Sequence, residues 1–151
     1  MKNISSKIFI LLMTIIAIFF ISNHSLSENF FNEAKQKFDQ KKYEDSKFLF
    51  QRNIVFNPKH SKSYLYLAKI FKKKENIEEE EINLKNVLLL NPKNDEAIYM
   101  LTLIKINQSN YSEAEELINK FTLVCKSFCS KKKEIKLKFK KLKPENAKNK
   151  N

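Results

Sequence analysis

The chain is 151 residues long, enough for one domain of ordinary size, and its 42% hydrophobic and 12% aromatic content suffices for a packed core. It contains no Gly, which excludes a glycine-rich phosphate loop and the Gly-flanked nucleophile turn of serine hydrolases. The formal charge is +12, from 29 basic and 17 acidic side chains, so partners and solubility depend on where that charge sits.

The first 27 residues differ in kind from the rest. Lys2 and Lys7 precede an uncharged apolar run at 8–21, and Ser25 and Ser27 then stand at the small positions before a candidate cut. Charge, apolar run and small residues in that order make a secretory signal peptide. The run is 14 residues, short of the ~20 that span a bilayer as a helix. We expect residues 1–27 to be a signal peptide cut between Ser27 and Glu28, and the protein to be periplasmic. The alternative is an uncleaved segment that anchors it in the inner membrane. No Cys lies near the cut, which argues against a lipid anchor. Without Lys2 and Lys7 the net charge is +10, and it is unevenly placed. Residues 126–151 hold eleven Lys against Glu134 and Glu145, whereas residues 28–125 hold sixteen basic and fifteen acidic side chains. A genome rich in A and T would also produce many Lys, Asn, Ile and Phe, which is the alternative explanation for part of the basicity.

From residue 27 the sequence repeats. Asn57-Pro58 and Asn91-Pro92 close two apolar stretches and stand 34 positions apart. The same interval links Phe30, Tyr64 and Ile98; Ala34, Ala68 and Thr102; Tyr43, Ile77 and Tyr111; and Ser46, Glu80 and Ala114. A period shared by independent columns marks a repeat architecture. Three two-helix units follow, at 27–60, 61–94 and 95–128.

In the first unit, Phe30, Phe31, Ala34 and Phe38 recur at helical spacing over 29–40, and Phe48, Leu49, Phe50, Ile54 and Val55 give a broad apolar face over 44–56. Pro58 stops that helix. The second unit predicts helices at 63–73, with Ser61 as its cap, and at 77–90. The acidic run Glu78, Glu79, Glu80 and Glu81 falls in the first turn of the latter, where it suits the helix dipole. The third predicts a helix at 97–107 and another after Ser112, with Ser112 and Glu115 as a capping box. Ala114, Leu117, Ile118, Phe121 and Val124 face inward. A last helix at 130–142, capped by Ser130, carries Ile135, Phe139 and Leu142 and covers the end of the array, with Pro144 after it. Residues 143–151 are too polar to fold and read as a loose tail.

The period and columns resemble the tetratricopeptide repeat (TPR) family, whose unit is a 34-residue helix–turn–helix. The resemblance covers about two thirds of the chain. Glu80 departs from the family's small column, Asn53 and Val87 from a later one, and Lys126 stands where a closing Pro would be. The resemblance implies an all-α, right-handed α-solenoid of three such units plus a C-terminal capping helix, together forming a domain at 28–142. A cysteine pair just past the last repeat also resembles a group of exported proteobacterial TPR proteins of undefined role.

Cys125 and Cys129 are the only cysteines, spaced one helical turn apart. In an oxidising compartment we expect them to form a disulfide that pins the capping helix; free thiols or a redox pair are the alternatives. Their spacing is not that of a thioredoxin-like site. Beyond residue 27 only His60 remains as an imidazole, so no metal site is expected, and His60 reads as solvated. No nucleophile–base constellation appears, and we expect neither a cofactor nor enzymatic activity.

In TPR arrays the first helices of successive units line a concave face. By resemblance that face carries Phe31, Lys35, Phe38, Lys62, Leu65, Lys69, Lys72, Lys73, Tyr99, Leu103 and Ile106. Aromatics among lysines suit an extended or helical peptide with acidic residues. Phe31 and Tyr66 stand where the family's carboxylate clamp needs polar groups, so recognition of chaperone C-termini is not expected. A second surface is the basic patch Lys131, Lys132, Lys133, Lys136, Lys138, Lys140 and Lys141, which suits anionic membrane or an acidic protein. Nucleic acid is not expected for an exported chain whose only Arg is Arg52. The sequence thus predicts a non-enzymatic module that binds a protein or peptide in its groove, with electrostatic docking through the basic end as the alternative.

Overall fold

The computed structural model describes residues 2–143, with side chains described at 8–14 and from residue 28 onward. The expected tail beyond Lys143 and the stop at Pro144 lie outside the described residues, as do most side chains of the expected signal peptide. Seven α-helices are present there and no strand: α1 (Lys2–Asp39), α2 (Tyr43–Phe56), α3 (Ser61–Lys73), α4 (Ile77–Leu90), α5 (Asp95–Asn107), α6 (Tyr111–Val124) and α7 (Lys132–Leu142). A single 3-10 turn, Cys129–Lys131, precedes α7. The first helix is longer than expected, running unbroken through the predicted cut. None of these helices is long and apolar enough to cross a membrane.

The chain divides into two compact units, Met1–Ser63 and Tyr64–Asn151. In the first, α2 packs on the end of α1. Ala34 and Ser46 are fully buried, and the Ser46 hydroxyl donates to the Ala34 carbonyl at 2.9 Å. Phe31 lies against Phe50, centroids 5.7 Å apart, and Phe30 stacks on Phe56 at 5.5 Å under the Arg52 guanidinium. The buried face of α2 is Ser46, Leu49, Phe50 and Asn53, narrower than predicted, because Phe48 and Val55 point to solvent. His60 is not simply solvated. Its Nδ1 is 2.9 Å from the Ser63 hydroxyl, which donates to Asn53 Oδ1, and its ring meets Phe31 edge-on.

The second unit holds the larger core, from Leu65 and Ala68 through Leu84, Val87 and most of α5 to Phe121 and Ile135. Nine of the thirteen residues of α5 are buried, since it runs between neighbours on several sides. Tyr99 donates from its hydroxyl to Glu134 at 2.6 Å, and Tyr111 to the Leu142 carbonyl at 2.7 Å, which fastens α7. Leu142 itself is exposed, so Ile135 and Phe139 carry the covering role.

The 34-residue period is written most clearly in the turns. Lys41, Glu75 and Ser109 each have a positive φ, of 62°, 58° and 58°. Each is followed by an N–H that reaches back five residues: Lys42 to Lys37, Asn76 to Phe71, Asn110 to Lys105. This is a Schellman stop, and it is built three times without a glycine. The same following residue caps the next helix. Asn76 and Asn110 accept from the backbone of Glu79 and Glu113, so the third-unit cap is Asn110 with Glu113, two residues before the predicted Ser112 and Glu115. Asn94, for which the sequence reading gives no role, caps α5 by accepting from the backbone N–H of Ala97. Ser61 is already helical, and Ser130 lies within the 3-10 turn, so neither is the cap expected of it.

Lys42 holds nearly the same φ and ψ as Asn76 and Asn110 but makes no side-chain cap. Lys42→Asn should therefore stabilise the protein by about 1 kcal/mol, the usual worth of such a cap. Thermal unfolding checks this: a rise of several degrees is expected, and an unchanged Tm would mean that a side-chain cap adds nothing to the backbone bonds already made at the α1–α2 turn.

Candidate functional site

The second unit opens a cleft of about 270 Å³, lined by Lys72, Ile77, Glu80, Met100, Leu103, Ile104, Asn107, Gln108 and Lys138. The last turn of α3 supplies Lys72. The first turn of α4 supplies Ile77 and Glu80, fixed in orientation by the Asn76 cap. One face of α5 supplies Met100, Leu103, Ile104 and Asn107 at helical spacing, and α7 supplies Lys138. The walls are thus mainly aliphatic, with two lysines and one buried carboxylate among them.

Glu80 is the unusual member. Its residue is 6% exposed, because its column is the tight one: Ser46 and Ala114 at the same place in the other units are fully buried. Burial pushes its carboxyl above the ordinary range, and the charge of Lys72 opposes that only in part. Its neighbour Glu81 does the reverse. Glu81 bonds Lys105 at 2.7 Å, Lys85 at 2.6 Å and Gln108 at 3.0 Å. Burial pushes its carboxyl up, but those hydrogen bonds outweigh it and leave it at about 2. Lys105 also meets Glu113 at 3.1 Å, and its ammonium is held above its usual value despite its burial. The acidic run is therefore not four equivalent dipole charges: Glu78 and Glu79 line the helix start, Glu80 faces the cleft, and Glu81 ties α4 to α5.

A second, shallower hollow of about 510 Å³ lies on the outer side of α7, among Cys129, Ser130, Lys132, Lys133, Lys136, Leu137 and Lys140. Leu137 is 58% exposed there. The predicted basic patch is thus split. Lys133, Lys136 and Lys140 share this hollow, Lys138 turns to the cleft, and Lys131 pairs with Glu134 at 2.8 Å beside the Tyr99 ring. Lys141 is exposed.

The predicted groove residues are distributed as follows. In the first unit Phe31 is buried, Phe38 packs edge-on against Tyr43, Lys35 pairs with Asp39 at 2.7 Å, and Lys62 is exposed. In the second, Lys72 and Leu103 line the cleft and Lys73 is exposed. Lys69 pairs with Glu96 at 2.8 Å. Leu65, Tyr99 and Ile106 are withdrawn into the core, because helical spacing places them on faces that meet neighbouring helices. Sequence reasoning missed Ile77, Glu80, Met100, Ile104, Asn107 and Gln108 as cleft residues. The one signal available was that Glu80 breaks a column of small residues.

The sulfurs of Cys125 and Cys129 lie at disulfide distance, with Cα atoms 5.2 Å apart. The loop between them is clasped from below. Asp95 Oδ2 accepts the backbone N–H of Lys126, Ser127 and Phe128, at 2.7, 2.7 and 2.9 Å. Burial would raise the Asp95 carboxyl, but these backbone donors hold it below its usual value.

No family model matches the chain, and no curated protein matches its sequence. Solved structures do match. The TPR2B domain of yeast Sti1, solved as a pHsp70 complex, superposes with a TM-score of 0.70 at 15% identity, over 78% of this chain and 98% of that one. The chain has the TPR fold. The second TPR domain of human RPAP3, solved with an HSP70 peptide, gives 0.66 at 17% identity, over 82% and 99% of the two chains. The Yersinia enterocolitica type III secretion chaperone SycD, with a peptide of the translocator YopD, gives 0.65 at 15%, over 77% and 91%. At these identities the likeness is one of fold, and it assigns the α-solenoid class expected from the TPR columns. Within that frame the cleft lies between the TPR-like hairpin α3–α4, helix α5 and the terminal helix α7.

Proposed function

We propose that this chain is an exported, non-enzymatic TPR interaction module that binds a peptide or protein segment in the cleft of its second unit. The observation that carries this is the cleft itself: an aliphatic wall of Ile77, Met100, Leu103 and Ile104 with Lys72 and Lys138 beside it. Aliphatic walls exclude water and give affinity, and a few placed charges fix orientation. The fold neighbours solved with bound peptides support the same reading.

Selection from a displayed random-peptide library tests it. Peptides sharing a motif should enrich on the protein and fail to enrich on Leu103→Asp, which puts a charge on the apolar wall. Equal enrichment on both, or none on either, would overturn the cleft assignment. Export rests on the order of Lys2, Lys7, the apolar run and the small residues near Ser27. The intact mass of protein recovered from the envelope of a Gram-negative host should be that of residues 28–151. A full-length mass would favour the uncleaved anchor.

The hollow on α7 favours a second reading, docking through the basic end. Lys133, Lys136 and Lys140 surround the exposed Leu137, so apolar contact and charge would act together. Salt-sensitive flotation with vesicles containing anionic lipid, lost on Leu137→Asp, supports it; flotation that ignores both removes it.

A further inference from the structure

The cleft holds a carboxylate where the repeat calls for a small side chain. Glu80 shares its column with Ser46 and Ala114, and both of those are sealed in the helix–helix contact. Among the described residues Glu80 has the charge of Lys72 nearby and no hydrogen-bond donor of its own. No side-chain polar atom among those residues is both sealed from solvent and without a hydrogen-bond partner. The carboxylate oxygens therefore open on the cleft rather than ending in the core. A carboxylate placed so is costly to the fold, because burial without donors disfavours its charged form. Folding does not need it, since Ala114 fills the equivalent place in the third unit with no polar group at all.

We propose that Glu80 is the specificity residue of the cleft and takes the ammonium or guanidinium of a basic side chain on the partner, while Lys72 and Lys138 take an acidic group beside it. This inference rests on the peptide-binding reading above and names the ligand chemistry of that site. The charges in the lining decide between ligand classes. A plain cation would meet two lysines, and a plain anion would meet Glu80. A segment carrying both signs matches all three, with its alkyl stem along Leu103 and Ile104. A volume of about 270 Å³ suits one long side chain and its immediate backbone rather than a folded element. Supplying the donors that the carboxylate lacks would remove the penalty of its burial, so the partner gains what the free protein forgoes.

The probe is N-acetyl-L-arginine, which carries a guanidinium and a carboxylate on one residue. Titrated into ¹⁵N-labelled protein, it should shift the amides of Glu80, Leu103 and Lys138 saturably. Glu80→Ala should weaken binding by about tenfold or more, the scale of losing one charged hydrogen bond. N-acetyl-citrulline, of the same shape without the charge, should bind the unaltered protein as weakly, and N-acetyl-argininamide should lose the contribution of Lys72 and Lys138. Glu80→Ala should also unfold at a higher temperature than the unaltered protein, which separates lost recognition from lost folding. Binding that survives Glu80→Ala, or equal binding of arginine and citrulline, overturns the proposal, as does the absence of any saturable shift. If selected peptides still need Leu103 while arginine does not bind, the peptide-binding reading stands and the Glu80 specificity falls. If neither holds, both fall.

Discussion

Lys105→Ala is expected to lower stability by about 3 kcal/mol, among the largest effects of any change to a charged side chain in this protein. The Lys105 side chain is 7% exposed and Glu81 13%, so their 2.7 Å contact is a buried one. Removing one partner of a buried pair leaves the other charged and desolvated, which typically costs about 3–5 kcal/mol. Lys85 and Gln108 still reach Glu81, so the lower end applies. Lys105→Met should cost nearly as much although it keeps the stem packed, because the stranded group is the carboxylate. Adding Glu81→Leu to Lys105→Met should restore most of the loss. Urea unfolding of Lys105→Met, Glu81→Leu and the double variant checks this, and losses that add in the double variant would refute it.

The same network sets an acid limit. The Glu81 carboxyl sits at about 2 in the folded protein against 4.5 for a free one. A depressed acid favours the folded state once ionised, so its contribution is complete above pH 4.5. It is lost as the pH falls from 4.5 towards 2. At about 1.4 kcal/mol per pH unit the contribution is on the order of 3 kcal/mol. Lys105→Met should flatten this acid slope, and stability measured at pH 7, 4 and 3 would show it.

Much of the fold was legible because the repeat is redundant. The columns of Ala34 with Ala68, of Tyr43 with Tyr111 and of Pro58 with Pro92 each state the period, so an error in one is outvoted by the others. Capping was less legible, because several residues compete for each end. Asn110 and Ser112 both suit a helix start, and only the backbone turn at Ser109 decides for Asn110. Side-chain destinations were the least legible. Leu103 and Tyr99 are both apolar members of α5, yet one lines the cleft and the other is core, a matter of where α7 lands. Nor does sequence distinguish Glu80 from Glu81, whose carboxyls differ by about one hundred degrees around the helix. Of the cleft, the family resemblance reached Lys72 and Leu103, the charge run reached Lys138, and Glu80 was visible only as a break in a column.

The end of the third unit shows how a departure from the pattern is compensated. Asn57 and Asn91 leave α2 and α4 with nearly the same φ and ψ, held by the Pro that follows, and each carbonyl accepts an N–H three residues on. The third unit has Lys126 instead of Pro, and Cys125 leaves α6 with a φ of −58° and a ψ of 139°. The N–H that would close the turn, on Phe128, goes to Asp95 instead, as do those of Lys126 and Ser127. Asp95→Ala should therefore lower stability by about 2–3 kcal/mol, since three charge-assisted bonds are lost but the freed N–H groups can be hydrated in part. Asp95→Asn keeps an acceptor oxygen without the charge and should lose about half as much. The depressed carboxyl adds a sign: the clasp is complete above the ordinary Asp range and weakens as the pH falls through it. The Cys125–Cys129 link and the Asp95 clasp close the same five residues, so each prepares the loop for the other. Asp95→Ala should then cost at least ~0.5 kcal/mol less in a Cys125→Ser, Cys129→Ser background than in the oxidised protein. Strict additivity in that cycle would mean that the loop's shape is set by α6 and α7 alone, and that the clasp and the disulfide act independently.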